Sequence, residues 1–163
     1  MQNDNLKSYL HLHVIVFIWG FTAILGKLIS LEALDLVWYR MLFASVIMTF
    51  VVLFNKEKMK VPFNVLVGFI VSGIIIAAHW LTFYQAIKVS NVSITLACLS
   101  TGAFFASILE PIFYKRKVIW YELLFGVIVV VGLGIIFNVE TKYKTGIYLA
   151  VTSAFLSALF SVI

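Results

Sequence analysis

Apolar residues run almost without a break from His11 to the end of the chain. Short polar segments divide them into stretches over His11–Ser30, Leu36–Phe54, Phe63–Ile87, Asn91–Phe113 and Ile119–Asn138, and a sixth opens near Gly146. Each complete stretch matches the roughly 20 apolar residues a helix needs to cross a bilayer core. The pattern therefore predicts an all-α, polytopic helical membrane protein. It should have five complete transmembrane helices and a sixth still unfinished at Ile163. A chain that stops inside a span reads as part of a longer protein. Asn55–Pro62 is a hydrophilic turn, with Pro62 placed to open the third helix. Lys88–Ser90 is so short that spans three and four must be antiparallel neighbours.

Composition agrees with this picture. Hydrophobic residues make up 63% of the chain and charged residues 12%, and mean hydropathy is +1.10. A soluble domain carries about 25% charge, so that class is excluded. The formal charge of +5 sits in short loops, not on a face with stacking aromatics, and implies no nucleic-acid partner. Cys98 is the only cysteine, so no intrachain disulfide exists. His11 and His13 lie at the membrane edge without an acidic or thiol partner. They read as interfacial anchors, and no metal or other cofactor is expected. The first apolar run is too long for a secretory signal and lacks a small-residue cleavage site.

Orientation follows from the short loops. Lys7, Lys56, Lys58, Lys60, Lys115, Arg116 and Lys117 fall on one side. Lys27, Lys88, Lys142 and Lys144 fall on the other, with the acids Glu32, Asp35 and Glu140. Residues 1–10 are expected to be a cytoplasmic tail. Small residues let helices approach closely in lipid. Ala150, Ala154 and Ala158, beside Ser153, Ser157 and Ser161, place the sixth span inside a bundle. Gly102/Ala106 and Ala103/Ser107 do the same for the fourth. The Val-rich fifth span reads as peripheral.

Several local patterns occur in a fixed order. Ile18-Trp19-Gly20-Phe21 sits in span 1, with Lys27 at its far end. Span 2 opens Trp38-Tyr39-Arg40-Met41-Leu42-Phe43-Ala44. Span 3 closes Phe83-Tyr84-Gln85-Ala86-Ile87, and span 5 holds Gly126, Gly132 and Gly134. This ordered set, over nearly all of residues 14–163, resembles the EamA family of the drug/metabolite transporter superfamily. Two departures are visible. Ser100-Thr101-Gly102 stands where family members usually have a proline early in the fourth helix's inner half. The basic Lys115–Lys117 stands where they often place Gly-Glu. The resemblance implies ten helices in two five-helix repeats of opposite orientation. Residues 11–138 would be the first repeat and 146–163 the first helix of the second. Ser157-Ala158-Leu159-Phe160 would then correspond to Trp19-Gly20. It further implies a permease of the bacterial inner membrane, working by alternating access on a small-molecule substrate, with the second repeat of the same chain as its partner. A homodimer is a further arrangement to consider.

Ionisable groups inside spans point to function. Lys27, Arg40 and His79 lie at similar depth in the outer halves of spans 1, 2 and 3. With Trp19, Trp80 and Tyr84 they are the candidate substrate-binding residues, read as a cationic, aromatic outer vestibule. Such a vestibule suits a carboxylate, an amino-acid-like or other anionic solute, or a drug. The plainer readings are that Lys27 snorkels to headgroups, Arg40 pairs with Asp35 or Glu32, and His79 bonds Thr82 or a neighbouring helix. Glu110 and Glu122 are expected to form an ion-pair cluster with the basic loop. Ser93, Thr95, Ser100 and Thr101 are candidates for the pathway wall. No catalytic residue is expected: G-x-S-x-G, H-E-x-x-H and a carboxylate pair at shared depth are all missing. The alternatives are a non-transporting scaffold or assembly protein and, more remotely, an intramembrane enzyme. A small multidrug-type pump would need a glutamate in the first helix, where only Lys27 is charged.

Overall fold

The computed structural model describes residues 2–56, 60–139 and 141–163, with side chains described over 6–56, 60–135 and 142–163. Lys58 and Glu140, used above for orientation, lie outside the described residues. The chain forms helices α1 (Gln2–Leu28), α2 (Ala33–Phe54), α3 (Phe63–Val89), α4 (Val92–Leu99), α5 (Gly102–Tyr114), α6 (Trp120–Val139) and α7 (Lys144–Val162). A 3₁₀ turn, Thr141–Tyr143, precedes α7. Four single helices and the α4–α5 pair are long and apolar enough to cross a membrane. The described apolar part of α6, Trp120–Ile135, is shorter.

α3 and α7 form the axis of the bundle. α7 packs along α3 and also covers α4 and α5, α1 and α2 rest on α3, and α6 rests on α5. The α3–α7 seam is built from small residues. Ala150 and Ala154 are wholly buried and Ala158 nearly so. Gly146 lies directly against Ser90 and the Ala86 carbonyl. Lipid tails are as apolar as leucine, so close backbone approach is what holds such helices together. The expected alanine stripe therefore faces inward as read. α6 buries little besides Gly126, which lies against Phe104, in keeping with its peripheral reading. α7 is 19 residues long, enough to cross a bilayer core.

The fourth span departs from the expected continuous helix. It breaks at Ser100–Thr101 into α4 and α5. Ser100 Oγ donates to the Ala97 carbonyl at 2.6 Å and Thr101 Oγ1 to the Cys98 carbonyl at 2.7 Å. The Thr101 amide also turns to Cys98, at 3.1 Å, and the Ala103 amide to Ser100, at 3.4 Å. The hydroxyls and tightened i→i+3 bonds take up carbonyls that an unbroken helix would give to i+4 amides. Asn91 caps α4, its side chain accepting from the Ile94 amide at 2.8 Å, as asparagine does at helix starts.

At the end of the bundle where α1 and α3 stop, two lysines cross-cap them. Lys27 Nζ donates to the Ile87 carbonyl at 3.3 Å, and Lys88 Nζ donates to the Ile29 carbonyl. Each positive group thus sits on the other helix's negative C-terminal end. Replacing both by methionine should lower stability by about 1–2 kcal/mol, read by thermal unfolding in detergent. An unchanged melting point would mean that the ammonium groups serve the headgroup region instead.

Candidate functional site

The predicted site residues divide into two groups around Trp80. The larger cavity, about 460 Å³, lies among α1, α3, α4 and α7. Its walls include Trp19, His79, Trp80, Phe83, Ser157 and Phe160. The second, about 420 Å³, lies between α1 and α2 and is backed by α3. Arg40 and Tyr84 line it, with Leu25, Leu36, Tyr39 and Phe43. Lys27 lines neither. The single vestibule read from the sequence is thus two spaces, because the Trp80 indole lies between Arg40 and His79. The Arg40 guanidinium carbon stands 3.6 Å from the Trp80 ring centre. The His79 ring meets the indole edge-on at 5.0 Å.

His79 is held from its far side. Its Nδ1 lies 2.9 Å from the Ser153 carbonyl, and Ser153 Oγ donates to the His79 carbonyl at 3.1 Å. Ser153 Oγ also lies 2.9 Å from Nδ1, so Ser153 engages that nitrogen through either its carbonyl or its hydroxyl, and Nε2 has no partner among the described residues. Ser153, on α7, is wholly buried. The plainer expectation for His79, a bond to a neighbouring helix, therefore holds together with a place on the cavity wall. Thr82 Oγ1 also reaches the His79 carbonyl, at 3.0 Å.

Arg40 does not pair with Asp35 or Glu32. Its Nη1 donates to the Tyr84 hydroxyl at 2.7 Å. Trp80 and Tyr84 stack at 5.7 Å. Tyr84 is buried and lies against Gly26 of α1, where any larger residue would displace the ring. Of the hydroxyl stripe, Thr95 and Thr101 are wholly or almost wholly buried and satisfied locally, while Ser93 and Ser100 are exposed. None of the four lines either cavity. Sequence reasoning missed Phe83 and Leu96 as walls of the larger space. Their signal was only apolarity, which in a membrane helix marks nothing.

At the opposite end of the bundle the expected ion cluster is present. Arg116 bonds Glu110 at 2.6 Å and Glu122 at 3.0 Å, tying the last turn of α5 to the first turn of α6. The hydrogen bonds Arg116 donates to Glu122 and then Glu110 raise its pKa above the ordinary value. A shallow space of about 400 Å³ between α5 and α6 ends on this cluster.

A bundle of apolar spans with polar side chains gathered in internal cavities defines a multi-pass membrane protein. The model of the EamA-like transporter family matches residues 6–138, and the chain belongs to that family. The match covers α1 to α6 and is shorter than the resemblance read from the residues, which ran on to Ile163. It makes the protein a transporter-like member of the drug/metabolite transporter superfamily. Neither a curated protein nor a solved structure matches the chain.

Proposed function

We propose that the chain moves small organic solutes across a bilayer by alternating access, with the cavity among α1, α3, α4 and α7 as its substrate site. The observation that carries this reading is the cavity itself. Its volume of about 460 Å³ falls within the range of small-molecule sites, roughly 300–1,000 Å³. Trp19, Trp80, Phe83 and Phe160 supply flat apolar walls, and His79, Ser157 and Ser161 supply a few polar groups. The broken fourth span forms part of the wall through Leu96 and Leu99. Interrupted helices recur at transporter substrate sites because irregular backbone is tolerated in a membrane only inside protein or beside a cavity.

The reading extends to a second repeat beginning at α7. Trp19-Gly20 lines the cavity from α1, while Ser157 and Phe160 line it from α7. These are the two segments that correspond if α1 and α7 open successive repeats. The family match, ending at residue 138, also leaves α7 outside the first unit. Loop charge supports a cytoplasmic N-terminus, and the family membership suits a permease of a bacterial inner membrane.

The full-length protein in proteoliposomes tests this. Among amino acids, organic acids and drug-like solutes, at least one should be taken up. Ser157→Trp, which fills the cavity, and His79→Ala should each reduce that uptake by about ten-fold or more, on the order of one lost substrate contact. Uptake indifferent to both variants removes the cavity from the pathway. No uptake of any solute favours a scaffold. Lys142→Cys should label from outside and Lys117→Cys should not; the reverse overturns the orientation.

A further inference from the structure

The space between α1 and α2 has a chemistry of its own. Arg40 lies on the eighth residue of α2, about 10 Å along the axis at 1.5 Å per residue. A cation at that depth is expensive unless something answers its charge. Among the described residues no carboxylate does. Its guanidinium has five N–H donors, of which one is engaged, by the Tyr84 oxygen. Tyr84 is 3% exposed. Its hydroxyl accepts from Arg40, and among the described residues its own proton meets no acceptor. A buried donor left this way costs about 1–3 kcal/mol.

Both groups line the same cavity of about 420 Å³. The remaining wall is apolar, from Leu25, Ile29, Leu36 and Phe43, apart from Thr22 and the Tyr39 hydroxyl. Two further features build the site. The Trp80 face fixes the plane of the guanidinium at 3.6 Å. Gly26 leaves room for the Tyr84 ring against α1.

We propose that Arg40 and Tyr84 form a binding site for a monoanionic oxyanion carried on an apolar body, beside the larger cavity, with Thr22 on the wall of both. The guanidinium fork matches two coplanar oxygens, and the tyrosine hydroxyl donates a third bond. The charge balance selects the valence. Among the described residues Arg40 is the only cation lining the space, so one negative charge neutralises it and a dianion would leave a net charge in low dielectric. A carboxylate on a solute and the phosphodiester of an anionic lipid both meet this description. The site stands without the transport reading.

The test is a binding isotherm on the full chain in phosphatidylcholine nanodiscs, with Trp80 as fluorescent reporter and Trp19, Trp38 and Trp120 replaced by phenylalanine. Cyclohexanecarboxylate should change Trp80 emission saturably, and its uncharged amide should not. Arg40→Gln should weaken binding by about ten-fold or more and Tyr84→Phe by about three-fold, as for a charge-assisted and a neutral bond respectively. Gly26→Ala, which keeps both donors but displaces the tyrosine ring, should also weaken it. If Arg40→Gln does not fold, Arg40→Lys carries the test, keeping the charge but losing the fork, with the same direction expected. Phosphatidylglycerol added to the discs then separates the sources. Displacement of the carboxylate assigns the site to a lipid headgroup, and an unchanged isotherm assigns it to a soluble acid. Equal response to acid and amide, or full affinity in both Arg40 variants, overturns the proposal. Either failure concerns binding alone and leaves the larger cavity as the transport site.

Discussion

Gly146→Ala is expected to unseat α7 from α3 and to lower the melting temperature by about 5–10 °C. A Cβ there would stand 2.5 Å from Ser90 Cβ, 2.6 Å from its Oγ and 3.3 Å from the Ala86 carbonyl. The serine cannot turn away cheaply, because its hydroxyl bonds that same carbonyl at 2.6 Å. The backbones must part instead. Overpacking of this kind costs about 2–3 kcal/mol, and a chain of this size loses roughly 2–4 °C per kcal/mol. Separation would reach the cavity, since α7 carries Ser153, which holds His79, and Ser157 and Phe160, which face Trp19. Gly68→Ala and Gly73→Ala are the controls on α3. Nothing lies within 4 Å of a Cβ at either, so helix propensity alone should act, and stability should hold or rise by up to about 1 kcal/mol. Equal melting points for all three variants would mean that the seam is looser than its geometry.

Gly126→Ala is expected to lift α6 from α5 with little effect elsewhere. A Cβ at Gly126 would stand 2.9 Å from Phe104 Cα and Cβ, and a helix backbone cannot yield as a flexible side chain would. α6 packs on the rest of the bundle chiefly through α5, so the change should stay local. Ala103→Cys and Val129→Cys, which face one space between the two helices, provide the readout. Their crosslinking should slow several-fold in the Gly126→Ala background. Gly132→Ala and Gly134→Ala, with nothing within 4 Å, should leave it unchanged. Crosslinking at the original rate in Gly126→Ala would show that the α5–α6 contact is not held at Gly126.

These two glycines also show what a sequence can disclose. The spans were legible because a bilayer demands long apolar runs, and that demand overrides every local preference. The alanine stripe of α7 was legible because spacing of four on a helix is one face. The Glu110–Arg116–Glu122 cluster was legible because its members are near neighbours along the chain. The break at Ser100–Thr101 was not. Hydroxyls and a glycine in an apolar run read equally as packing, and which carbonyl each hydroxyl takes depends on the fold. The single vestibule failed for a related reason. Depth along a helix can be counted from sequence, so Arg40 and His79 were read at one level, and both reach Trp80. Their azimuth around the bundle cannot, and the Trp80 indole standing between them emerged only in three dimensions. Lys27 stands instead at the end of the bundle, where its partner is a carbonyl sixty residues away, which no local pattern announces.

The paired lysines impose an order on biogenesis. Lys27 needs the Ile87 carbonyl, and Lys88 needs the Ile29 carbonyl. Neither bond can form until the ribosome has delivered the third span. Until then the first helix waits in the translocon or the lipid with its exposed C-terminal carbonyls unanswered, and α2 must be inserted before the loop can close around it. Nascent chains arrested before residue 88 should therefore be the ones most open to membrane quality-control proteases, and release past that point should mark the moment the first three helices become one folding unit.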